Sequence, residues 1–483
     1  MATTSLARLL QDQATSRLSH YLRILSSHVA HNSFTGHAAN VRSFAQLTQR
    51  DLFPANRFAS IAAAATPEAP EAPETPCPHV FMRSIAESDV IRPQIALVSH
   101  LDTVFPPLNL SDPTSNPFNW KEALLLEANP SSSSSSPLPE YRHIAIGPGT
   151  MDIKGGTVVM AMALEVLREC APTHYGAVDW RILLNAAEEI MDPSFPEVAF
   201  GLGVVSRERP PLACLVFENG PRRRRGNDLT FGMVTGRKGM GIWRVGVSGR
   251  EAHAGNAHAT GANAIVALAH LVSRFASLTD YSRQVTVNVG TITGGTTTNT
   301  VPGQAHCTLE MRASDITTYN EVKARLGSLV EEDIKRFPGC SASMVTLTEA
   351  PPWMENAGTA SLLNTWNEAG KIFGNACGPL GQYSCIGEKR GGVSDGNRFW
   401  DLCPTLDGLG PTGFNAHSAV TKPGETVGLK KTVTWLGKEL EVLTEKPEQE
   451  YVELDSIVPK VVLNVLALHQ LITAHYRSLG VNV

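Results

Sequence analysis

Three apolar runs of buried-strand length are each followed by side chains that can bind a metal ion. The runs are QIALVS (94–99), WRILLNA (180–186) and ACLVF (213–217). The side chains that follow them are His100, Glu188, Glu189 and Glu218. Helical patterns separate the runs, and strands that alternate with helices favour an α/β fold with a mostly parallel central sheet. Because ligands bind beyond the carboxyl ends of such strands, the sequence predicts one shared site.

A glycine-rich stretch, AIGPGTMDIKGG (145–156), places Asp152 just before an apolar helical run. Glycines permit a tight or close-packed turn, which can push a side chain out of a sheet edge. A carboxylate presented in this way can bridge two metal ions. An ordinary strand-to-helix turn with a capping aspartate would have the same local sequence, so the other candidate ligands must decide between the two interpretations.

Five candidate ligands together suit a pair of Zn²⁺ ions, since imidazole and carboxylate are normal zinc ligands. They are His100, Asp152, Glu189, Glu218 and His417. Two neighbouring metal ions can bind one water, lower its pKa to near 7 and polarise a carbonyl. Taken singly, each residue fits a structural role, such as a strand-end histidine or a solvated acid pair. The prediction therefore rests on the whole set.

Two further acidic residues have predicted supporting roles. Glu188, beside the ligand Glu189, is left to act as the general base. Asp102 lies two residues after His100, so on an extended chain it points to the same side. There it can orient the imidazole of His100.

Composition narrows the classes of function. The 483 residues suggest two or three domains, and a net charge of −5 argues against a nucleic-acid-binding protein. No apolar run of about eighteen residues occurs, so no membrane-spanning helix is expected. Eight scattered cysteines without a CxxC pair favour reduced thiols and a cytoplasmic location. A mitochondrial presequence stays open, although the leucine spacing of the N-terminus favours a helix of the folded domain.

A change of pattern near residue 237 marks an inserted domain. From there to residue 349 the order of elements is β-α-β-β-α-β, which predicts a compact α+β unit of the ferredoxin-like kind. We therefore expect one domain from 1–236 and 350–483, interrupted by a second at 237–349. The Ala/Pro-rich stretch 62–78 and the six serines at 131–136 are expected to be flexible insertions.

Four consecutive arginines, Arg222–Arg225, follow shortly after the third apolar run. A solvated loop is the simpler interpretation of such a charge run. The functional alternative is electrostatic attraction of an anionic substrate.

The motifs resemble those of the di-zinc metallopeptidase and amidohydrolase family of glutamate carboxypeptidase, aminoacylase, acetylornithine deacetylase and succinyl-diaminopimelate desuccinylase. The matching motifs are SHLDTV, GPGTMDIKGG, AAEE, VFEN, GREAHAG, TTTNTVPGQAHCTLEMR, GGVSDGN and GFNAHSA. They run from about residue 95 to 420 in the family's order, and Glu218, in place of Asp, is most similar to the glutamate carboxypeptidase branch. The departures are Ala187 before the acid pair and the longer MDPSFPEV after it, and both bear on substrate specificity.

The resemblance implies a zinc-exopeptidase-like fold with two Zn²⁺ per subunit, or Co²⁺ or Mn²⁺ in their place. It assigns one ion to His100, Asp152 and Glu218. It assigns the other ion to Asp152, Glu189 and His417. It also implies a cis peptide bond between Asp152 and Ile153.

The resemblance further implies a homodimer that forms through the inserted domain. His253 would enter the neighbouring subunit's active site and stabilise the tetrahedral oxyanion. Asn299 and Arg312 would contact the substrate, and Gly392 and Ser394 would belong to a loop that lines it.

The predicted function is hydrolysis of a peptide or N-acyl amino acid bond next to a free carboxylate in a small-molecule substrate. One alternative is the same site used for amide-bond formation, or for processing a pathway-specific conjugate, in biosynthesis. Another is a metal-binding scaffold that lacks catalysis. The presence of all five ligands together with Glu188 argues against the scaffold.

Overall fold

The computed structural model of the chain describes residues 3–61, 79–85, 91–109, 111–126, 141–225, 227–378, 381–419, 428–435 and 437–483. The insertions that the sequence predicts at 62–78 and 131–136 lie outside the described residues. Within the described ranges the α-helices are α1 (Thr3–Ala30), α2 (Ala38–Leu52), α3 (Gly155–Cys170), α4 (Pro172–Gly176), α5 (Ser194–Gly201), α6 (Ala264–Ala276), α7 (Ile316–Asp333), α8 (Ala357–Cys377), α9 (Gly396–Phe399) and α10 (Ile457–Ser478).

The strands of the same ranges are β1 (Phe58–Ser60), β2 (Val80–Ser84), β3 (Gln94–His100), β4 (Lys121–Leu126), β5 (Tyr141–Ile146), β6 (Asp179–Asn185), β7 (Ala213–Val216), β8 (Arg222–Arg225), β9 (Asp228–Arg237), β10 (Gly239–Ser248), β11 (Ala252–His253), β12 (Thr286–Gly294), β13 (Thr300–Val301), β14 (Gln304–Ala313), β15 (Ser341–Ala350), β16 (Tyr383–Arg390), β17 (Thr405–Leu406), β18 (Gly413–Phe414), β19 (Gly428–Trp435), β20 (Lys438–Leu443) and β21 (Tyr451–Glu453).

The chain divides into two compact units. The first unit is Met1–Thr235, Asn356–Glu388 and Asp401–Val483, and the second unit is Gly236–Glu355 and Lys389–Trp400. The sequence analysis placed two short segments, 350–355 and 389–400, in the first domain. In the structure they belong to the second unit. The reason is hydrogen bonding, since Asn397 Nδ2 donates to the carbonyl oxygens of Lys238 and Pro351.

The central sheet of the first unit has the order β1-β2-β6-β3-β7-β17. Strand β3 is parallel to β6 and β7, and β17 is parallel to β7. The edge pairs β1–β2 and β2–β6 are antiparallel. Every residue of β3 is buried, as expected for a central strand of a parallel sheet. The predicted mostly parallel α/β sheet is confirmed.

Four helices of the first unit, α1, α3, α8 and α10, pack on one another and share a hydrophobic core with the sheet. The segment Leu454–Ser478, which contains α10, is long and apolar enough to cross a membrane by composition. It contains Lys460 and Asn464, so it is not a continuous apolar run. In this structure most of its apolar side chains are buried in the core of the first unit.

A second six-stranded sheet in the first unit has the order β18-β21-β5-β4-β20-β19. The sequence did not indicate it, because its strands are short and come from distant parts of the chain. Strand β5 is antiparallel to β4 and β21. Strand β5 ends just before the glycine-rich stretch of Asp152, so this sheet helps to position that stretch.

The second unit contains an antiparallel sheet of order β12-β14-β10-β15. In chain order its main elements are β10, α6, β12, β14, α7 and β15, which is the predicted β-α-β-β-α-β arrangement. Side chains of α6 and α7 pack on the sheet in a core separate from that of the first unit. The ferredoxin-like prediction is confirmed.

Candidate metal centre

His100 lies at the carboxyl end of β3 and is 1% exposed. Its Nδ1 is 3.0 Å from the backbone carbonyl oxygen of Asp102 and 3.4 Å from the carboxylate atom Oδ1 of the same residue. Both of these oxygens accept hydrogen bonds, so Nδ1 is held as the donor. Nε2 is therefore the nitrogen directed at the other candidate ligands.

Asp152 presents its two carboxylate oxygens to two different histidines. Oδ1 is 3.1 Å from Nε2 of His100, and Oδ2 is 3.2 Å from Nε2 of His417. The Asp152–Ile153 peptide bond is cis, which confirms the expectation from the resemblance. A carboxylate with this placement can bridge two cations.

Two glycines allow this stretch to pack so closely. Gly149 has a φ of 71°, in the left-handed region that other residues avoid. At Gly156, a Cβ atom would lie 1.9 Å from the carbonyl oxygen of Phe217, so a side chain there would force α3 away from the end of β7. Both glycines thus fix how Asp152 approaches the ends of the central strands.

Each histidine also has a second acidic neighbour. Glu189 Oε2 is 3.1 Å from Nε2 of His417, and Glu218 Oε1 is 3.8 Å from Nε2 of His100. The carboxylate of Asp152 thus lies between two groups, each with one histidine and one glutamate. One ligand atom each from His100, Asp152 and Glu189 lie within 4.8 Å of one another, a spacing that could hold a metal ion.

The carboxylate of Asp102 organises the turn that follows β6 as well as His100. Its Oδ1 accepts from the backbone N–H of Glu188 at 3.0 Å, and its Oδ2 accepts from that of Glu189 at 3.2 Å. The hydroxyl of Thr35 also donates to Oδ2, at 2.8 Å. The mostly buried side chain of Glu188 places Oε2 4.0 Å from His100 Nε2. Asp102 therefore links the histidine of one strand to both acids of the next.

Sequence reasoning missed Glu450, which is fully buried next to the glycine-rich stretch. Its Oε1 accepts from the backbone N–H of Met151 at 2.8 Å and of Asp152 at 3.2 Å. Burial and the charge of Asp152 raise its pKa to about 8. No local pattern marks this residue, because it directly precedes β21 and comes to the site from 298 positions away along the chain.

Lys154 was also missed. Its Nζ donates to the carbonyl oxygens of His28 and His31 at 3.0 and 2.8 Å. Burial lowers the pKa of Lys154 to about 7. This side chain ties the start of α3 to the end of α1, and so helps to hold the Asp152 stretch in place.

The site's electrostatics couple the histidines to the acids. Burial lowers the pKa of His100, but hydrogen bonds with Asp102 and Asp152 outweigh it and raise the pKa well above 6.5. Hydrogen bonds with Asp152 and Glu189 raise the pKa of His417 to about 10. Burial and the charge of Asp152 raise the pKa of Glu189 to about 7. Without a metal ion, protons on the histidines balance the acids, and a bound ion would displace them.

In the second unit, His253 and Asn299 are neighbours. Strand β11 pairs with β13, opposing His253 to Thr300, and the N–H of Ala254 donates to the carbonyl oxygen of Asn299 at 2.9 Å. His253 is exposed, and its Nδ1 accepts from the backbone N–H groups of Gly255 and Asn256, each at 3.1 Å. In the neutral imidazole, Nε2 then carries the proton and is the outward donor.

The other predicted substrate residues also lie in the second unit. Arg312 pairs with Glu310 through Nε at 2.6 Å, and its Nη1 donates to the carbonyl oxygen of Gly391 at 3.2 Å. The carbonyl oxygen of Gly392 accepts from Arg237 at 3.0 Å. The hydroxyl of Ser394 is fully buried and accepts from the N–H of Gly396, at the start of α9. In this conformation the hydroxyl of Ser394 stabilises the loop by a buried hydrogen bond within it.

Comparisons with known proteins agree with this architecture. Residues 235–338 match the family model of the peptidase dimerisation domain of M20 proteins. Carboxypeptidase G2 of Pseudomonas sp. strain RS-16 is 26% identical over 276 residues, 57% of this chain and 61% of that protein. Succinyl-diaminopimelate desuccinylase of Nitrosomonas europaea is 23% identical over 278 residues, 56% of this chain and 68% of that protein.

Solved structures show the same fold over nearly the whole chain. A Bacillus subtilis protein, described as a dinuclear metal-binding peptidase from the M20 family, has a TM-score of 0.56 at 12% identity. The match covers 95% of this chain and 99% of that one. This likeness is one of fold. The chain spans 61% of the length of carboxypeptidase G2, and the activity of the chain is therefore argued from its own site.

Proposed function

We propose that this protein is an M20-type metal-dependent hydrolase that cleaves an amide bond next to a free carboxylate, with two Zn²⁺ ions per subunit. The observation that carries the proposal is the position of Asp152 between two groups of one histidine and one glutamate. The groups are His100 with Glu218 and His417 with Glu189, which the resemblance assigns to separate ions. Five N/O ligands of this kind suit zinc, and three carboxylates offset most of the charge of two divalent ions.

Bound metal ions would supply an acidified water and polarise the scissile carbonyl. Glu188 would accept the proton of that water and pass it to the leaving amine. Its position favours this role, because the mostly buried carboxylate lies 4.0 Å from Nε2 of the proposed ligand His100. Asp102 would hold the backbone of Glu188 in place while the proton moves.

The second unit would complete the site from a neighbouring subunit. The match of residues 235–338 to a peptidase dimerisation domain supports a homodimer. His253 would stabilise the oxyanion through Nε2, since Nδ1 already accepts two backbone hydrogen bonds. Mixing inactive His253→Ala with inactive Glu188→Gln subunits should restore part of the activity, because one hybrid site would keep both groups. A fully active monomer would contradict this arrangement.

The substrate's carboxylate would bind Arg312, helped by Asn299 and the loop of Gly392 and Ser394. Arg312 already pairs with Glu310, so a substrate must compete with that carboxylate for the guanidinium. We expect Arg312→Ala to raise KM for substrates with a free carboxylate more than for their amides. An equal change in KM for both would remove Arg312 from substrate recognition.

The test of the proposal is a screen of dipeptides and N-acyl amino acids with zinc, cobalt and manganese. We expect hydrolysis of at least one class, and Glu188→Gln to lower kcat by roughly 10²–10⁴-fold while metal content stays at two ions. The matched control is Glu197→Gln on the exposed face of α5, which should retain full activity. Near-full activity of metal-loaded Glu188→Gln would refute the base assignment, and metal-free protein with full activity would refute the proposal itself. We place this activity in the cytoplasm, as the scattered cysteines favour.

A further inference from the structure

A histidine outside the set of candidate ligands contacts the turn that carries the acid pair. His79 directly precedes β2, and β2 pairs antiparallel with β6. This pairing brings His79 to the carboxyl end of β6, where the turn begins. The turn, residues 186–194, connects β6 to α5 and carries Glu188 and Glu189. The side chain of His79 is only 6% exposed.

The two ring nitrogens of His79 contact opposite ends of this turn. Nδ1 accepts a hydrogen bond from the backbone N–H of Ala186 at 3.1 Å, and Nε2 lies 2.9 Å from the hydroxyl oxygen of Ser194. A backbone N–H can only donate, so in the neutral ring Nε2 carries the proton and donates it to Ser194. Burial lowers the pKa of His79, which keeps the ring neutral at pH 7. One imidazole therefore fixes the separation of the two ends of the turn.

A serine beside a histidine and an aspartate is also the composition of a catalytic triad. In a triad the histidine accepts the serine's proton through Nε2, and the aspartate accepts from Nδ1. Here Nε2 of His79 is a donor, and the hydroxyl of Ser194 donates to Oδ2 of Asp192 at 2.8 Å. These three side chains therefore form a chain of hydrogen bonds that holds the turn, and Ser194 is not activated as a nucleophile.

The backbone of the turn is tightly bent between these two ends. The N–H of Asp192 donates to the carbonyl oxygen of Ala187 at 3.1 Å, and the N–H of Met191 donates to that of Glu188 at 2.6 Å. Met191 has a φ of 53°, in the left-handed region that residues with a side chain rarely adopt. Such a conformation persists only where the surrounding structure fixes it. His79 supplies part of that constraint.

We propose that His79 is a positioning residue for Glu188 and Glu189. It acts through the backbone of the turn, because holding both ends sets the direction in which the two carboxylates leave it. The inference rests on the proposed function, in which Glu188 is the base and Glu189 binds the ion beside His417. A displaced turn would therefore impair proton transfer and weaken that ion, while the substrate contacts in the second unit would be unaffected.

The test is His79→Phe in the full-length protein. Phenylalanine keeps a ring that can pack on Phe81 and Phe195 but removes both nitrogens. We expect kcat to fall roughly tenfold or more and KM to change less than about twofold. The affinity for the ion beside His417, measured by competition with a chromophoric chelator, should fall by about 10–100-fold. Equal weakening of both ions would overturn the proposal.

Hydrogen–deuterium exchange of the metal-free protein tests the same inference without any turnover. Amide exchange within residues 186–194 should become roughly tenfold faster in His79→Phe, because hydrogen bonds at both ends of the turn are lost. Unchanged exchange there would overturn this inference alone. A wild-type protein that hydrolyses none of the screened substrates would instead refute the proposed function.

Two further variants separate hydrogen bonding from packing. Phe81→Leu alters the same aromatic cluster without removing a hydrogen bond, and it should change kcat and exchange in the turn less than about twofold. His79→Asn places an amide oxygen near the position of Nδ1, so it should recover part of the loss by accepting from Ala186. If His79→Phe fails to fold, Ser194→Ala should show a smaller loss in the same direction. Equal losses in Phe81→Leu and His79→Phe would overturn the proposal, because packing alone would then explain them.

Discussion

The two histidines of the candidate metal centre differ in how the chain holds them. His100 ends a fully buried central strand, and its Nδ1 is held by Asp102. His417 lies in the loop after β18 with a φ of 65°, and its side chain is 54% exposed. One half of the site thus belongs to the sheet, and the other half is supplied by a loop.

This difference has a consequence for metal binding. The His100 half is fixed by the fold before any ion arrives, so little conformational entropy is lost when an ion binds. The His417 half must order an exposed side chain, which costs more. We therefore expect the ion beside His100 to bind more tightly than the ion beside His417.

The largest expected effect comes from the residue that the two halves share. Asp152→Ala should prevent binding of both ions and lower turnover to background, on the order of 10⁶-fold. Metal analysis of the purified variant and single-substrate kinetics measure this. The control Asp401→Ala changes a surface ion pair with Arg207 and should keep both ions. Retention of two ions by Asp152→Ala would show that the halves do not share this carboxylate.

Replacing each histidine separately should sharpen the contrast. His100→Ala should lower the unfolding free energy of the metal-free protein by about 3–5 kcal/mol, because it leaves buried carboxylates without their cationic partner. His417→Ala should change it by less than about 1 kcal/mol, because the imidazole is largely exposed. Each variant should keep at most one ion. Urea denaturation compares the stabilities, and equal losses would erase the distinction between the two halves.

Acid should also destabilise the fold beside the Asp152 stretch, through His28. His28 on α1 is fully buried, and its carbonyl oxygen accepts from Lys154. Burial and the charge of Lys154 lower the pKa of His28 to about 4, below the value of 6.5 for an unperturbed histidine. Between these values the unfolded chain binds the extra proton, so stability is present above about pH 6.5 and is lost as the pH falls towards 4.

The expected loss from His28 is on the order of 3 kcal/mol. Urea denaturation of the wild type and of His28→Gln across this pH range isolates it, because other acid-sensitive groups are common to both proteins. The variant should show a flatter dependence on pH. Parallel curves would show that His28 does not carry this acid sensitivity.

The smallest expected effect concerns Asp102. Asp102→Asn should keep the shape of the site but weaken the hydrogen bond to His100 Nδ1, and so lower the affinity of the ion beside His100 by about 10–100-fold. The affinity of the other ion should change less. Competition with a chromophoric chelator measures both. A larger loss at the His417 half would reverse the comparison between the halves.

Much of the fold follows from local pattern. The apolar runs before His100, Glu188 and Glu218 predicted the central parallel strands, because a strand buried on both faces needs a continuous apolar run. The β-α-β-β-α-β order predicted the second unit, because strand and helix periodicities can both be read from short stretches of sequence. The second sheet of the first unit was not predicted, because short strands such as β18 and β21 carry too few residues for a periodic pattern.

The supporting residues of the site show the limit of local pattern most clearly. Glu450 reaches Asp152 across 298 positions, and Lys154 reaches His28 across 126. Neither residue differs locally from an ordinary surface glutamate or lysine. Both side chains matter because they are buried against the Asp152 stretch, and that burial arises only when distant parts of the chain pack together.

The sequence by itself determined the types and order of the candidate ligands, since strand ends and a glycine-rich turn are encoded in short stretches. It also determined the presence of an inserted α+β unit. Only the tertiary structure decided which oxygen of Asp152 faces which histidine and that His79 contacts both ends of the turn that carries the acid pair. These facts depend on backbone paths that meet from distant parts of the chain, and hydrogen bonds with directional geometry then select one arrangement among those that the ligand types allow.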